Sequence, residues 1–388
     1  MTFKLRLASS DHMLWLRFGE VASKCEHLSG VPLRPELAKE LNRVFLTKGV
    51  LATTAIEGNT LSEEQIRQIV DGSLDLPPSR EYLKQEVENI VGLCNDEVRS
   101  LVAGDPDRAR LTPGLIRHFN KQILHNLELD EGVVAGELRS HSVLVGNVYR
   151  GAPPEDCPYL LERLCAWLEG PDFAAPNDEL RIPYALVKAI VAHVYLAWIH
   201  PFGDGNGRTA RMVEFRVLFS SGVPLPAAHL LSDHYNRTRT KYYRELANAS
   251  RSGGDLAPFI HYAVQGFLDG LRGQIAEVRK LQMDVAWENY VHDQFREKRA
   301  SPAQKRRRDL ALELSRHDWV AVSEIEDLSP KIARLYARAG ERMLQRDLNA
   351  VANMRLVERR RGKVRSRKFI IQAFLPARIA NNPSANAS

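Results

Sequence analysis

One block, residues 199–211, constrains this chain more than any other. It sets glycines at 203, 205 and 207 between two runs, 185–199 and 209–219, whose apolar residues recur at helical spacing. That pattern predicts a helix, a tight loop and a second helix. Glycine lets the backbone turn through conformations closed to other residues and brings its N–H groups close to a ligand. The second helix is predicted to begin near Asn206 or Gly207, where unpaired amides and the positive end of the helix dipole favour an anion. Arg208 and Arg211 fall in that first turn, an end where the dipole disfavours cations, so a negative partner is expected beside them. A nucleotide polyphosphate suits the arrangement. The amides cradle it, two guanidinium groups clamp it, and Asp204 is left to hold the Mg2+ that such phosphates carry. His200, ending the preceding helix, is then placed to take a proton from an attacking hydroxyl. A metal-hydrolase reading built on His193, His200 and Asp204 lacks a third strong ligand at familiar spacing, and His193 reads as a core histidine.

From His200 to Arg211 the block resembles, at every specified position, the signature of the Fic (filamentation induced by cyclic AMP) family, His-x-Phe-x-Asp/Glu-Gly-Asn-Gly-Arg-x-x-Arg. The resemblance implies a mainly α Fic fold with a short β-hairpin flap, and transfer of AMP from MgATP to a Ser, Thr or Tyr hydroxyl of a target protein, self-modification included. It implies His200 as general base, Asp204 as Mg2+ ligand, Gly205, Asn206 and Gly207 as the phosphate-binding turn, and Arg208 and Arg211 as the clamp on the β- and γ-phosphates. Phe202 would be a buried anchor for the loop. The turn reads Gly-Asn-Gly and not the Ala-Asn-Lys of the kinase-like branch, which favours adenylyl over phosphoryl transfer.

Upstream, residues 35–56 carry apolar residues at helical intervals and Gly58 is a plausible stop. Thr53 and Glu57 then lie one turn apart on one face, with Glu57 in the last turn, where the dipole disfavours a carboxylate and a cationic partner from elsewhere is expected. The family's inhibitory helix has this form, Ser/Thr-x-x-x-Glu-Gly/Asn. The resemblance implies that Thr53, Glu57 and Gly58 mark it and that Glu57 pairs with Arg211. Further along, Gly136, Glu137, Leu138 and Arg139 lead into Val143, Leu144 and Val145, a Gly146-Asn147 turn, and Val148-Tyr149, which reads as a short hairpin. Such a hairpin either covers the core or, as the resemblance favours, registers an extended segment of the target by strand addition. Residues 231–246 resemble the family's segment that closes over the adenine, with Tyr242 a nucleotide contact and Tyr243 in the core. Related sequences often carry an asparagine where this chain has Thr238, and Asn236 would be rotated about 200° from that position around a helix.

Charge divides the chain. The formal net charge is +6, but residues 301–388 hold 19 Lys+Arg against 9 Asp+Glu, leaving the first 300 residues near −4. After a long helical stretch at 258–298, Ser301-Pro302 marks a boundary, and helical patterns follow at 303–314, 322–326 and 340–353. A basic segment around Gly362 then reads as two strands and a turn, so the tail resembles a winged helix-turn-helix. Arg342, Arg346 and Asn349 would face a DNA groove, with Lys363, Arg365 and Arg367 on phosphates. The competing reading is a protein-interaction or homodimer module with a solvated basic face.

Four cysteines, Cys25, Cys94, Cys157 and Cys165, form no close metal-ligand pairs and are too sparse for a disulfide scaffold, which points to the reducing cytoplasm. The longest apolar run, 189–199, is about half a membrane span, so no membrane partner is expected. The chain is therefore expected to be mainly α, with an N-terminal helical region at 1–100, a Fic core at 101–285, and a linker helix and small α+β winged tail at 286–388 whose last residues, 380–388, are disordered. The expected function is protein adenylyl transfer restrained by Glu57. Its alternatives are a DNA-binding regulator whose core only senses nucleotide, and removal of AMP with Glu57 orienting a water.

Overall fold

A computed structural model describes residues 3–5, 7, 11–104, 110–145, 149–337 and 341–372. The chain divides into two compact units, Met1–Ile275 and Ala276–Ser388. The first contains α1 (His12–Ser29), α2 (Pro35–Ile56), α3 (Glu63–Val70), α4 (Glu81–Ala103), α5 (Pro113–Ile123), the hairpin strands β1 (Leu144–Val145) and β2 (Tyr149–Arg150), α6 (Cys157–Leu168), α7 (Arg181–Ile199), α8 (Asn206–Ser220), α9 (Leu230–Arg237) and α10 (Arg239–Arg251). The division falls inside α11 (Ala257–Arg296), and the second unit continues with α12 (Pro302–Leu314), β3 (Val320–Ala321), α13 (Pro330–Tyr336), α14 (Glu341–Asn353), β4 (Val357–Arg360) and β5 (Lys363–Ser366).

Local sequence sets many of these boundaries. Ser62 and Gln65 close a capping box on α3, and Thr112, Ser301 and Ser329 cap α5, α12 and α13, each followed by a proline at the first helical position, where its missing N–H costs nothing. α7 is apolar on nearly every face, with Leu186, Ile190, Val194 and Ile199 fully buried, the mark of a helix surrounded by protein. Residues Asp178–Ile199 form one helical stretch long and apolar enough to cross a membrane by composition alone, longer than the sequence run indicated, yet 78% of its apolar window is buried in the fold. α7 packs on α8, and α8 also meets α2, α4 and α5, so the loop between α7 and α8 is ringed by helices.

The second unit has its own core of Trp287, Val291, Leu310, Leu314, Ile332, Tyr336, Leu348 and Val364. Its antiparallel sheet runs in the order β3-β5-β4, with Val320 opposite Val364 and Val357 opposite Ser366. The helical patterns at 303–314, 322–326 and 340–353 and the strand pair around Gly362 are present, α14 beginning at Glu341. β3 and α13 went unforeseen because two and seven residues carry too little periodicity. Gly340, the Gly146-Asn147 turn and the 380–388 tail lie outside the described residues.

Candidate active site

α7 ends at Ile199, and His200 caps it in the left-handed region, φ 50° and ψ 59°. Its half-buried ring places Nδ1 3.3 Å from the carbonyl oxygen of Ala197, a partner that makes Nδ1 the protonated nitrogen and Nε2 the basic one. Burial pushes the imidazole pKa down, Arg139 adds to this, and the Ala197 carbonyl, Glu57 and Asp204 oppose it without reversing it.

The loop that follows is braced from within. Asn206 donates Nδ2 to the Phe202 carbonyl at 2.8 Å and accepts the Phe202 N–H at 3.0 Å. Its side chain therefore holds the loop, and only its backbone faces the helix start. Phe202 is buried as expected. Gly205 has φ 74°, and a Cβ there would sit 2.9 Å from Asn120 Nδ2; that same amide donates to the Asp204 carbonyl at 2.9 Å. Among the described residues no side chain caps the N-terminus of α8 and no acidic residue lies in its first turn, which leaves amides and dipole available to an anion.

An internal anion already stands there. Glu57, the residue after α2, places Oε1 where a Cβ on Gly207 would come within 2.2 Å and accepts Nη2 of Arg211 at 2.5 Å. Arg211, 2% exposed, also donates Nε to Thr53 Oγ1 at 2.8 Å and Nη2 to the Thr53 carbonyl at 3.1 Å. The sequence pairing of Thr53 and Glu57 on one face thus converges on one guanidinium. Burial pushes the Glu57 carboxyl up, but Arg211, by charge and hydrogen bond, with help from Arg208 and Arg239, carries it below the usual carboxylate range. Gly58 follows with φ 103°, ending the helix in a backbone shape suited to glycine.

Arg208 meets a partner that no sequence signal indicated. Glu86 on α4 accepts its Nη1 at 2.8 Å, and Glu86 Oε2 accepts Asn59 Nδ2 at 2.9 Å. Asp204 lies 3.3 Å from Arg208 Nη2 and its side chain is 53% exposed. Both signature arginines are thus paired with carboxylates. Among the described residues no group of three His, Cys, Asp or Glu is arranged to hold a metal, and His193 is a core residue between Tyr242 Oη at 2.9 Å and Glu214 at 3.3 Å. A single exposed carboxylate fits Mg2+, which takes one or two carboxylates and completes its shell with phosphates and water.

Two expectations are reversed by packing. Tyr242 is 3% exposed with its hydroxyl on His193, while Tyr243, expected inside, is 44% exposed; successive helical residues point about 100° apart, and the apolar wall of Tyr235 and Phe259 took Tyr242. Thr238 lies in the break between α9 and α10, its hydroxyl 2.7 Å from the His234 carbonyl and 2.6 Å from Tyr262 Oη.

The hairpin pairs Leu144 with Arg150 and Val145 with Tyr149. Val143 is half-buried and its carbonyl accepts the Gly151 N–H at 3.1 Å, while Leu144 is 61% exposed. A cavity of about 500 Å³ opens beside β2, lined by Arg150, Gly151, Pro153 and Trp198. In the second unit Arg342, Arg346 and Asn349 share the exposed face of α14, and Lys363 is exposed. Arg365 and Arg367 depart from the expectation of free phosphate contacts. Arg365 stacks 4.6 Å over Trp319 and binds Glu358, and Arg367 lies 5.2 Å over Phe369. Exposed Arg359 instead reaches the helix face, donating to Asn349 at 2.7 Å and Gln345 at 3.0 Å.

Residues 110–218 match the Fic/DOC family. The chain is similar to protein adenylyltransferase fic-1 of Caenorhabditis elegans, 32% identical over 220 residues that make up 56% of this chain and 38% of that protein. Protein adenylyltransferase Fic of Culex quinquefasciatus is 27% identical over 254 residues, 65% of this chain and 46% of that protein. The chain therefore spans less than half the length of these curated relatives. In fold it resembles the crystal structure of a Fic family protein from Desulfovibrio desulfuricans, with a TM-score of 0.57, 21% identity and coverage of 94% of this chain and 98% of that one. The structure of Fic-1 from C. elegans gives 0.54 at 24% identity over 69% and 73%.

Proposed function

With a Fic/DOC domain at residues 110–218, we propose that this protein is an adenylyltransferase that moves AMP from ATP to a Ser, Thr or Tyr hydroxyl of a protein, and that Glu57 restrains it. The observation that carries this reading is the meeting of His200, Asp204, the uncapped start of α8 and Arg211 at one loop, with a carboxylate of the same chain standing over Gly207.

The chemistry follows from that layout. His200 Nε2 takes the proton as the target hydroxyl oxygen bonds to the α-phosphorus, and the bond to the bridging oxygen breaks, releasing pyrophosphate. Burial keeps the imidazole neutral and ready to accept that proton. The amides of Gly205, Asn206 and Gly207 face the phosphates, with Arg208 and Arg211 neutralising their charge once Glu86 and Glu57 give way. Mg2+ on Asp204 would offset charge on the phosphates and the leaving group. β1 and β2 hold an extended target segment, through Val143, Leu144 and Val145, so that its hydroxyl meets His200. The order α12, β3, α13, α14, β4, β5 supports a winged helix-turn-helix in the second unit, with α14 presenting Arg342, Arg346 and Asn349 to DNA. Four buried free cysteines suit a reducing compartment such as the cytoplasm.

The test is label from α-labelled and, separately, γ-labelled ATP into the purified chain with Mg2+. Label from the α position alone is expected, faint in the wild type, at least tenfold stronger in Glu57→Gly, and lost in Glu57→Gly/His200→Ala. Label from the γ position would mean phosphoryl transfer instead. No label in any variant, with AMP released from adenylylated protein by the wild type and not by Glu57→Gly, would assign AMP removal.

A further inference from the structure

Arg139 is 5% exposed, and among the described residues it makes no ion pair. Its guanidinium is spent on carbonyl oxygens: Nε on His200 at 2.6 Å, Nη1 on His141 at 2.6 Å, and Nη2 on Ala152 and, at 3.3 Å, on Ile199. A buried charge without a counter-charge is costly, so its retention calls for a structural return. Three segments meet on this one ion. Ile199 and His200 are the end of α7 and the base itself; His141 and Ala152 flank the two strands of the hairpin. Backbone bonds run along the same seam, from Arg139 N to the Pro201 carbonyl at 3.0 Å and from Ala152 N to the Ile199 carbonyl at 3.3 Å, beside a bridge between Leu138 and Phe202.

The geometry points to Arg139 as the positioning residue that fixes the general base and the target-registering hairpin in one frame. The inference rests on the transferase reading and deepens it by naming what sets the distance between base and target hydroxyl. His200 holds a left-handed conformation that side chains other than glycine rarely adopt, and such a conformation persists only where its surroundings over-determine it. Arg139 supplies that constraint from the carbonyl side, while the hairpin stems receive theirs from the other arms of the same planar fork. A lysine preserves the charge but not the fork. The charge acts as well, since among the charged groups facing His200, Glu57 and Asp204 favour its protonation and Arg139 opposes it.

Arg139→Met and Arg139→Lys, each in the Glu57→Gly chain, separate these effects. Self-labelling from α-labelled ATP is expected to fall roughly 100-fold in Arg139→Met and roughly tenfold in Arg139→Lys, the scale of a misplaced reacting group. Binding of α,β-methylene-ATP should stay within about threefold of the parent, because α8 and its arginines make no bond to Arg139. By NMR of the full chain, the His200 ring should titrate higher in Arg139→Met and at the parent value in Arg139→Lys, and the Gly151 amide should lose exchange protection in both. Parent-level labelling in Arg139→Met would overturn the inference, as would losses of labelling and analogue binding in step. If Arg139→Met does not fold, Arg139→Lys decides alone: reduced labelling at unchanged melting temperature and analogue affinity supports the role, and full labelling refutes it. If the Glu57→Gly parent itself carries no label, the transferase reading fails, while the titration and exchange data still decide whether Arg139 frames base and hairpin.

Discussion

At His200 a helix end, a half-buried ring and one nearby cation act together. Burial and Arg139 lower its pKa from the ordinary 6.5, so the neutral, proton-accepting form survives to lower pH than in an exposed histidine. Transfer by Glu57→Gly is therefore expected to hold as pH falls to 6.5 and to decline only below it, as the folded pKa is crossed. A pH profile of kcat/KM checks this, and an acid limb above 6.5 contradicts it. That His200, Asp204 and the two arginines meet at one loop could be read from sequence because one contiguous block carries them. For Glu57 the helix dipole calls only for some cation, and it is the family resemblance that names Arg211, the partner the structure gives it. Glu86 could not be read, since it reaches Arg208 from 122 positions away on a helix without a motif. Arg139 stood in view as part of a Gly-Glu-Leu-Arg run, yet nothing in its spacing told of the carbonyls it gathers.

Among the elements, α2 is the one whose sequence bounds and structural bounds coincide, at 35 and 56, because its apolar face is long and Gly58 ends it. Adjacent tyrosines are harder: spacing gives the face of a helix but not which of Tyr242 and Tyr243 the neighbouring aromatics will take. α2 is also held closely against α9. A Cβ on Gly49 would fall 2.4 Å from His229 Cγ, and that ring is itself stacked on Phe215 at 4.6 Å. Gly49→Ala should force α2 outward, an overpacking that costs about 1–3 kcal/mol. The expected result is a melting temperature several degrees lower together with stronger self-labelling, as the end of α2 shifts away from Arg211. A lower melting temperature with labelling unchanged would mean that the position of α2 does not govern Glu57.

For the whole molecule the uneven charge of the sequence gains a place in the fold. Arg342, Arg346 and Lys363 are exposed in the second unit, with Arg359 lying across Gln345 and Asn349. If α14 enters a DNA groove, the full chain should bind duplex DNA with an affinity that falls steeply between 50 and about 200 mM salt, and Arg346→Ala should weaken it by about tenfold or more. Binding that ignores salt, or that survives this change, would favour a protein partner for the same face. The first unit carries a different consequence in the carboxylate that stands over Gly207. Because that anion is tethered to the site it fills, its local concentration is fixed by the chain and not by how much protein is present. Dilution cannot loosen it and accumulation cannot tighten it. Under the restraint we propose, set at that fixed level, the protein would act as a gauge of nucleotide supply, silent while ATP is scarce and responsive only as ATP rises far enough to displace its own side chain.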